Sequence, residues 1–111
     1  MSGEGTTVQG EEFDGKAVAR KLPTRPGVYL MRDATGQALY VGKALNLRKR
    51  VGSYFDARPK GERIMRMIAR IRQVEISITR TEAEALLLEN EWIKSLKPRY
   101  NVLLRDDKSY P

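Results

Sequence analysis

The segment from Arg25 to Lys43, RPGVYLMRDATGQALYVGK, constrains the fold of this chain more than any other. Two runs rich in apolar and aromatic residues, Val28–Met31 and Ala38–Val41, flank the turn residues Asp33, Ala34, Thr35 and Gly36. Strand formers on both sides of a glycine-containing turn predict a β-hairpin. The segment VEISITR, beginning at Val74, alternates apolar and polar residues and predicts a third strand. A sheet this small is stable only with a helix against it. The best candidate is TEAEALLLENEWIKSLK, beginning at Thr81, which is apolar around much of its circumference. Thr81 and Glu84 form a capping-box pattern at its start, and Pro98 follows its end.

Three shorter helices complete the pattern. FDGKAVARKLP has Asp14 as its cap and Pro23 as its stop. ALNLRKRVGSYF places Leu47, Val51 and Tyr54 at core spacing. ERIMRMIARIR carries Ile64, Met67, Ile68 and Ile71 on one stripe and Arg63, Arg66 and Arg70 on another face. The tail RYNVLLRDDKSYP reads as irregular, with a short extended piece at Asn101–Leu104. The expected class is α+β, a small, mainly antiparallel three-stranded sheet flanked by helices. Residues 1–13 read as a flexible acidic leader, 14–104 as the domain, and 105–111 as the start of a continuation.

Composition removes several chemistries. Cysteine and histidine are both absent. Disulfides, thiolate nucleophiles, the usual zinc sites and the commonest general base are therefore excluded. Acid–base work falls to Tyr, Lys, Asp or Glu, and side-chain metal ligands must be oxygens, which favours magnesium, manganese or calcium. No apolar run is long enough to span a bilayer. The charge is uneven: residues 43–72 carry ten Lys or Arg against two acids, a local +8 in a chain of net +7. Such a block suits a polyanionic partner, although a solvated surface is the plain alternative.

One acid stands out. On a helix, Glu89 has Ala85, Leu86, Trp92 and Ile93 as neighbours on its own face, all apolar. A carboxylate there needs compensation, from a cation or from an arginine on another element. The hairpin adds further polar groups. Tyr29 and Tyr40 lie in its two strands, and paired strands can turn both phenols to one face. Gly42 follows Tyr40 and lets a backbone or a phosphate come close. Lys43 is next, and Arg50 lies two helical turns further on. Two phenols, an ammonium, a guanidinium and a carboxylate at one end of a sheet suit the cutting of a phosphodiester bond.

These residues also carry a resemblance. GVY at 27–29 and YVG at 40–42 resemble the paired motifs of the GIY-YIG nuclease superfamily. YVGKALNLRKRVGSYF, TEAEALLLENEWIKSLKPRYN and LLRDDKSYP extend the likeness to its UvrC branch, from about Leu22 to Pro111. Within the named motifs the departure is Val for Ile at both central positions, a conservative change. The resemblance implies a GIY-YIG-type fold in a cytoplasmic protein of nucleotide excision repair. It implies incision of damaged double-stranded DNA on the 3′ side of the lesion, with one divalent metal ion, Mg²⁺ or Mn²⁺. It implies UvrB as partner, in a UvrB–DNA complex, through a region outside this segment.

The same resemblance assigns roles. Glu89 matches the metal ligand, Tyr29 the general base, and Tyr40 the tyrosine that orients water or phosphate or serves as base instead. Arg50 matches the arginine that stabilises transition-state charge. Lys43 matches a lysine of the same site, and Asn101 a supporting asparagine. A tyrosine of ordinary pKa, ~10, needs positive charge nearby to ionise. Arg48, Lys49, Arg63, Arg66 and Arg70, with Lys43, are candidate DNA contacts. The bland alternatives are half-buried strand tyrosines with wet hydroxyls and solvated helix charges. Asp106 and Asp107 read as tail residues rather than a metal pair. Two other functions compete: a basic DNA-binding module without chemistry, and a protein-interaction domain presenting tyrosines and Trp92.

Overall fold

A computed structural model describes the backbone of residues 13–105 and the side chains of residues 13–102. The elements are α1 (Gly15–Arg20), β1 (Gly27–Arg32), β2 (Ala38–Ala44), α2 (Leu47–Tyr54), α3 (Glu62–Arg70), β3 (Gln73–Ile78), α4 (Glu82–Leu96) and α5 (Arg99–Arg105). The expectations for the acidic leader and for Asp106 and Asp107 lie outside the described residues. The expected hairpin, third strand and four helices are all present.

The sheet is antiparallel throughout, with β1 in the centre, β2 on one edge and β3 on the other. The turn between β1 and β2 is built by Asp33, whose carboxylate accepts hydrogen bonds from the backbone of Thr35 and Gln37 and from the Thr35 hydroxyl. Gly36 takes φ +89°, a conformation glycine adopts without steric cost. Regular pairing breaks once, where Met31↔Tyr40 is followed by Arg32↔Ala38. The extra residue, Leu39, makes a β-bulge. Leu39 and Tyr40 consequently join one core cluster, while Ala38 and Val41 join the other.

Each face of the sheet has its own cover. Tyr29, Met31 and Tyr40 pack with Leu47, Val51 and Tyr54 of α2, Ile64 and Met67 of α3, and Tyr100 of α5. Val28, Leu30 and Val41 pack beneath α4, against Ala85, Leu88, Trp92, Ile93 and Leu96. These α4 positions follow helical spacing, so one stripe of the helix covers the sheet. Its outer side leaves Leu87 71 % and Leu86 45 % exposed. The helix is capped as its sequence predicts: the Thr81 hydroxyl accepts from the Glu84 backbone N–H. The Glu84 carboxylate accepts from the Arg80 N–H at 2.7 Å, one residue before the cap.

The tail corrects one expectation. Residues Asn101–Leu104 are helical, within α5, rather than extended. Lys97 adopts a left-handed conformation (φ 47°) that ends α4, and buried Pro98 then precedes a new helix. Proline favours the start of a helix, where its missing N–H costs nothing. Burial of Tyr100 in the sheet's core cluster holds this short helix in place.

Candidate active site

Tyr29 sits in the central strand directly opposite Gly42 of the edge strand β2. Its ring lies across that glycine: a Cβ on residue 42 would stand 2.5 Å from the phenolic oxygen. The phenol thus reaches over the edge strand because no side chain blocks it. Its hydroxyl meets that of Tyr54, from α2, at 2.8 Å. The Tyr40 ring lies 6.2 Å from the Tyr29 ring, centroid to centroid, so the bulge and register bring three phenols into one cluster. Tyr29 is only 1 % exposed, which replaces the expectation of a wet strand tyrosine with a hydroxyl held by another phenol.

The cations come from the start of α2. Asn46 caps this helix, its side chain accepting from the Lys49 N–H. The Arg50 guanidinium lies 5.8 Å from the Tyr54 ring centroid, a cation–π distance. The first turn holds Arg48, Lys49 and Arg50 and no acid. This opposes the helix dipole, so the arrangement favours an anion nearby. Arg48 is partly committed, since its Nε donates to the Leu22 carbonyl at 2.7 Å and ties α2 to the segment after α1.

A cleft of about 650 Å³ opens between α2 and the start of α4, across the end of β2. Lys43, Lys49 and Arg50 line it, with Asn46, Ser53, Glu82 and Ala85. Because β2 is an edge strand, this cleft joins the two faces of the sheet. Lys43 has the same strand parity as Val41 and so belongs to the α4 side.

Glu89 lies one turn beyond Ala85 on α4 and is half-buried. Exposed Leu86 corrects the sequence picture: Glu89 borders the apolar stripe rather than being walled in by hydrocarbon. Burial raises its pKa above the ordinary carboxylate value, and the charge of Lys43 partly opposes that rise. Among the described residues the Glu89 carboxylate makes no hydrogen bond or ion pair, so no internal arginine neutralises it. Among the described residues no group of three or more acids is placed to hold a metal ion. A lone, partly desolvated carboxylate beside a cation-lined cleft fits a hard divalent cation that keeps most of its waters.

Asn101 has a different place. Its side-chain oxygen accepts from the Val41 N–H at 2.8 Å and its nitrogen donates to the Val41 carbonyl at 2.9 Å. Each amide group makes one bond to the edge strand between Tyr40 and Gly42, so Asn101 holds that strand. The α3 arginines lie apart from the cleft. Arg66 pairs with Glu62; Asp33, at the hairpin turn, has its pKa lowered chiefly by the Thr35 hydroxyl, with the charge of nearby Arg70 adding to that. That turn is at the opposite end of β1 from Lys43. Arg63 is exposed on the same helix. Tyr54 and Glu82 are the residues that sequence reasoning left out. A polar tip on the apolar stripe of α2 was the available signal for Tyr54; Glu82 gave none beyond its place at a helix start.

Comparison with known proteins bears on the family and the fold. The family described as the UvrC-like GIY-YIG domain matches residues 25–102. UvrABC system protein C of Stenotrophomonas maltophilia (strain R551-3) is 61 % identical over 106 residues, 96 % of this chain and 17 % of that protein. The same protein of Xanthomonas campestris pv. campestris (strain B100) is 61 % identical over 100 residues, 90 % of this chain and 16 % of that protein. This chain therefore spans about one-sixth of the length of these relatives. A crystal structure of the GIY-YIG N-terminal endonuclease domain of UvrC from Thermotoga maritima, bound to its catalytic divalent cation, magnesium, superposes with a TM-score of 0.68. Identity there is 28 %, covering 86 % of this chain and 98 % of that one. On its motifs, its three-stranded sheet and these matches, the chain belongs to the UvrC-like GIY-YIG domain family.

Proposed function

We propose that this domain hydrolyses a DNA phosphodiester bond, making the 3′-side incision at a lesion in nucleotide excision repair. The observation that carries the reading is the lone Glu89 carboxylate beside a cation-lined cleft at the end of the edge strand over which the Tyr29 phenol lies. A binding module without chemistry has no use for an acid there, because the acid lowers affinity for a polyanion.

The DNA strand enters the cleft with its phosphates on Lys43, Lys49 and Arg50. Tyr29, as its phenolate, takes the proton of a water molecule as that water attacks phosphorus. The hydrogen bond to Tyr54 holds the phenol in one orientation. The water oxygen bonds to phosphorus, and the bond from phosphorus to the 3′ oxygen breaks. Arg50 stabilises the charge that builds on the phosphate. Tyr40 packs beside Tyr29 and orients it. Glu89 would hold a divalent cation, Mg²⁺ or Mn²⁺, which supplies Lewis-acid stabilisation of the leaving oxygen when bound. Asn101 acts through the strand. Partners in this role are damaged double-stranded DNA and UvrB, consistent with a cytoplasmic protein; no helix among the described residues is long and apolar enough to cross a membrane.

The test is nicking of a damaged duplex, preloaded with UvrB, with and without Mg²⁺. Wild-type protein nicks on the 3′ side only with the cation. Glu89→Gln abolishes nicking while binding DNA at least as well. Arg50→Lys loses about 10²–10³ in rate, since an ammonium cannot reproduce the planar two-pronged contact. Cation-independent nicking, or full activity in Glu89→Gln, removes the assignment.

A further inference from the structure

Glu82 stands in the cleft with no part in the chemistry above. It opens α4, is exposed, and lines the cleft with Lys43, Lys49 and Arg50. Among the described residues its carboxylate makes no hydrogen bond or ion pair, although three cations border the same space. An acid in the first turn favours a helix, but here the Thr81 hydroxyl and the Glu84 carboxylate already serve the helix start. A negative charge in a cleft for a polyanion weakens binding. The placement of Glu82 therefore works against affinity.

The charges divide the cleft into two walls. Lys49 and Arg50 come from α2 and form one wall; Glu82 comes from α4 and stands on the other, with Lys43, at the end of β2, on the α4 side of the sheet. Between Glu82 and Glu89, one turn from each, lies the small, buried Ala85. Phosphates are drawn to the first wall and repelled by Glu82 on the second. We infer that Glu82 is a positioning residue that confines the phosphodiester track to the α2 wall and so sets which bond meets the Tyr29 hydroxyl. This rests on the nuclease reading. Without the acid, the strand occupies the whole width of the cleft, binds more tightly and is held in several registers.

The test compares wild-type protein with Glu82→Asp, Glu82→Gln and Glu82→Lys. Fluorescence anisotropy measures binding of a labelled single-stranded oligonucleotide in the absence of divalent cation. End-labelled damaged duplex, preloaded with UvrB and given Mg²⁺, is resolved at single-nucleotide steps. Glu82→Gln is expected to bind about three- to tenfold more tightly, the effect of removing one charge roughly 6 Å from a phosphate in a partly screened cleft. Glu82→Lys binds tighter still and spreads the nick over adjacent bonds, and Glu82→Asp keeps a single nick position. A single, unshifted nick position in Glu82→Lys overturns the inference whatever the affinity does. Absence of any wild-type nicking removes the nuclease reading instead; unchanged anisotropy across the variants then overturns the role of Glu82 as well.

Discussion

Gly42→Ala tests the geometry most directly. The new Cβ would stand 2.5 Å from the Tyr29 hydroxyl oxygen, 2.6 Å from Cζ and 3.1 Å from Cε2. Carbon contacts are comfortable at about 3.5–4.0 Å, so the ring tip must move by about 1 Å. It has little room: Tyr29 is buried, its hydroxyl bonded to Tyr54, with the Tyr54 and Tyr40 rings about 6 Å away. Overpacking of this kind costs about 1–3 kcal/mol. At about 4–8 °C per kcal/mol for a domain of this size, the melting temperature should fall by about 5–20 °C. Displacing the phenol by about 1 Å should also lower the nicking rate by about 10². Thermal unfolding followed by circular dichroism and single-turnover nicking measure the two effects. The control is the same substitution in a Tyr29→Leu background, where the clash is gone and the added destabilisation should nearly vanish, a coupling read from the double-mutant cycle. An unchanged melting temperature in Gly42→Ala, or an equal loss in both backgrounds, refutes the argument that the Tyr29 ring needs the space over residue 42.

Four further expectations follow from the site. Burial raises the Glu89 pKa above the ordinary 4.5, so the folded state holds that proton more tightly than the unfolded chain. Stability linked to Glu89 is therefore fullest below pH 4.5 and declines as pH rises through the folded value; Glu89→Gln should melt higher than wild type at neutral pH, with the difference shrinking in acid. Addition of Mg²⁺ or Mn²⁺ should raise the melting temperature of wild type and leave that of Glu89→Gln unmoved, as mass action requires of a ligand bound at residue 89. Asn101→Ala strips both partners from the Val41 peptide and should cost about 1–3 kcal/mol in denaturant unfolding, with faster exchange of the Val41 amide. Tyr54→Phe should keep the fold but reduce nicking, because the hydrogen bond between the Tyr29 and Tyr54 hydroxyls is lost; wild-type rates there would place the pair outside the chemistry.

Much of this was legible in the residues themselves. The hairpin, the third strand and the capped helix over the sheet each announced their own period and punctuation, and the paired tyrosine motifs lie where alternation puts them. What escaped was set by tertiary contact. The extended piece expected around Asn101 is a helix because Tyr100 is anchored in the core, which no local propensity reveals. Val102 and the outer leucines of α4 look like core residues in the sequence yet face outward. Tyr54 passed for an ordinary core aromatic, since only the fold shows its hydroxyl meeting Tyr29. The α3 arginines and those of α2 read as one basic block, but the fold sends them to different ends of the sheet. Arg48 looked like a free charge until its bond to the Leu22 carbonyl was seen.

The extra residue at Leu39 divides the hairpin into two ladders of different phase. From Met31↔Tyr40 to Gly27↔Ala44 the pairing is uninterrupted; past the offset it resumes with Arg32↔Ala38. Tyr29 and Tyr40 both lie in the uninterrupted ladder, on the far side of that offset from the tip. The tip at exposed Ala34 is a natural place to attach a fluorophore or a surface tether, at the opposite end of β1 from the cleft.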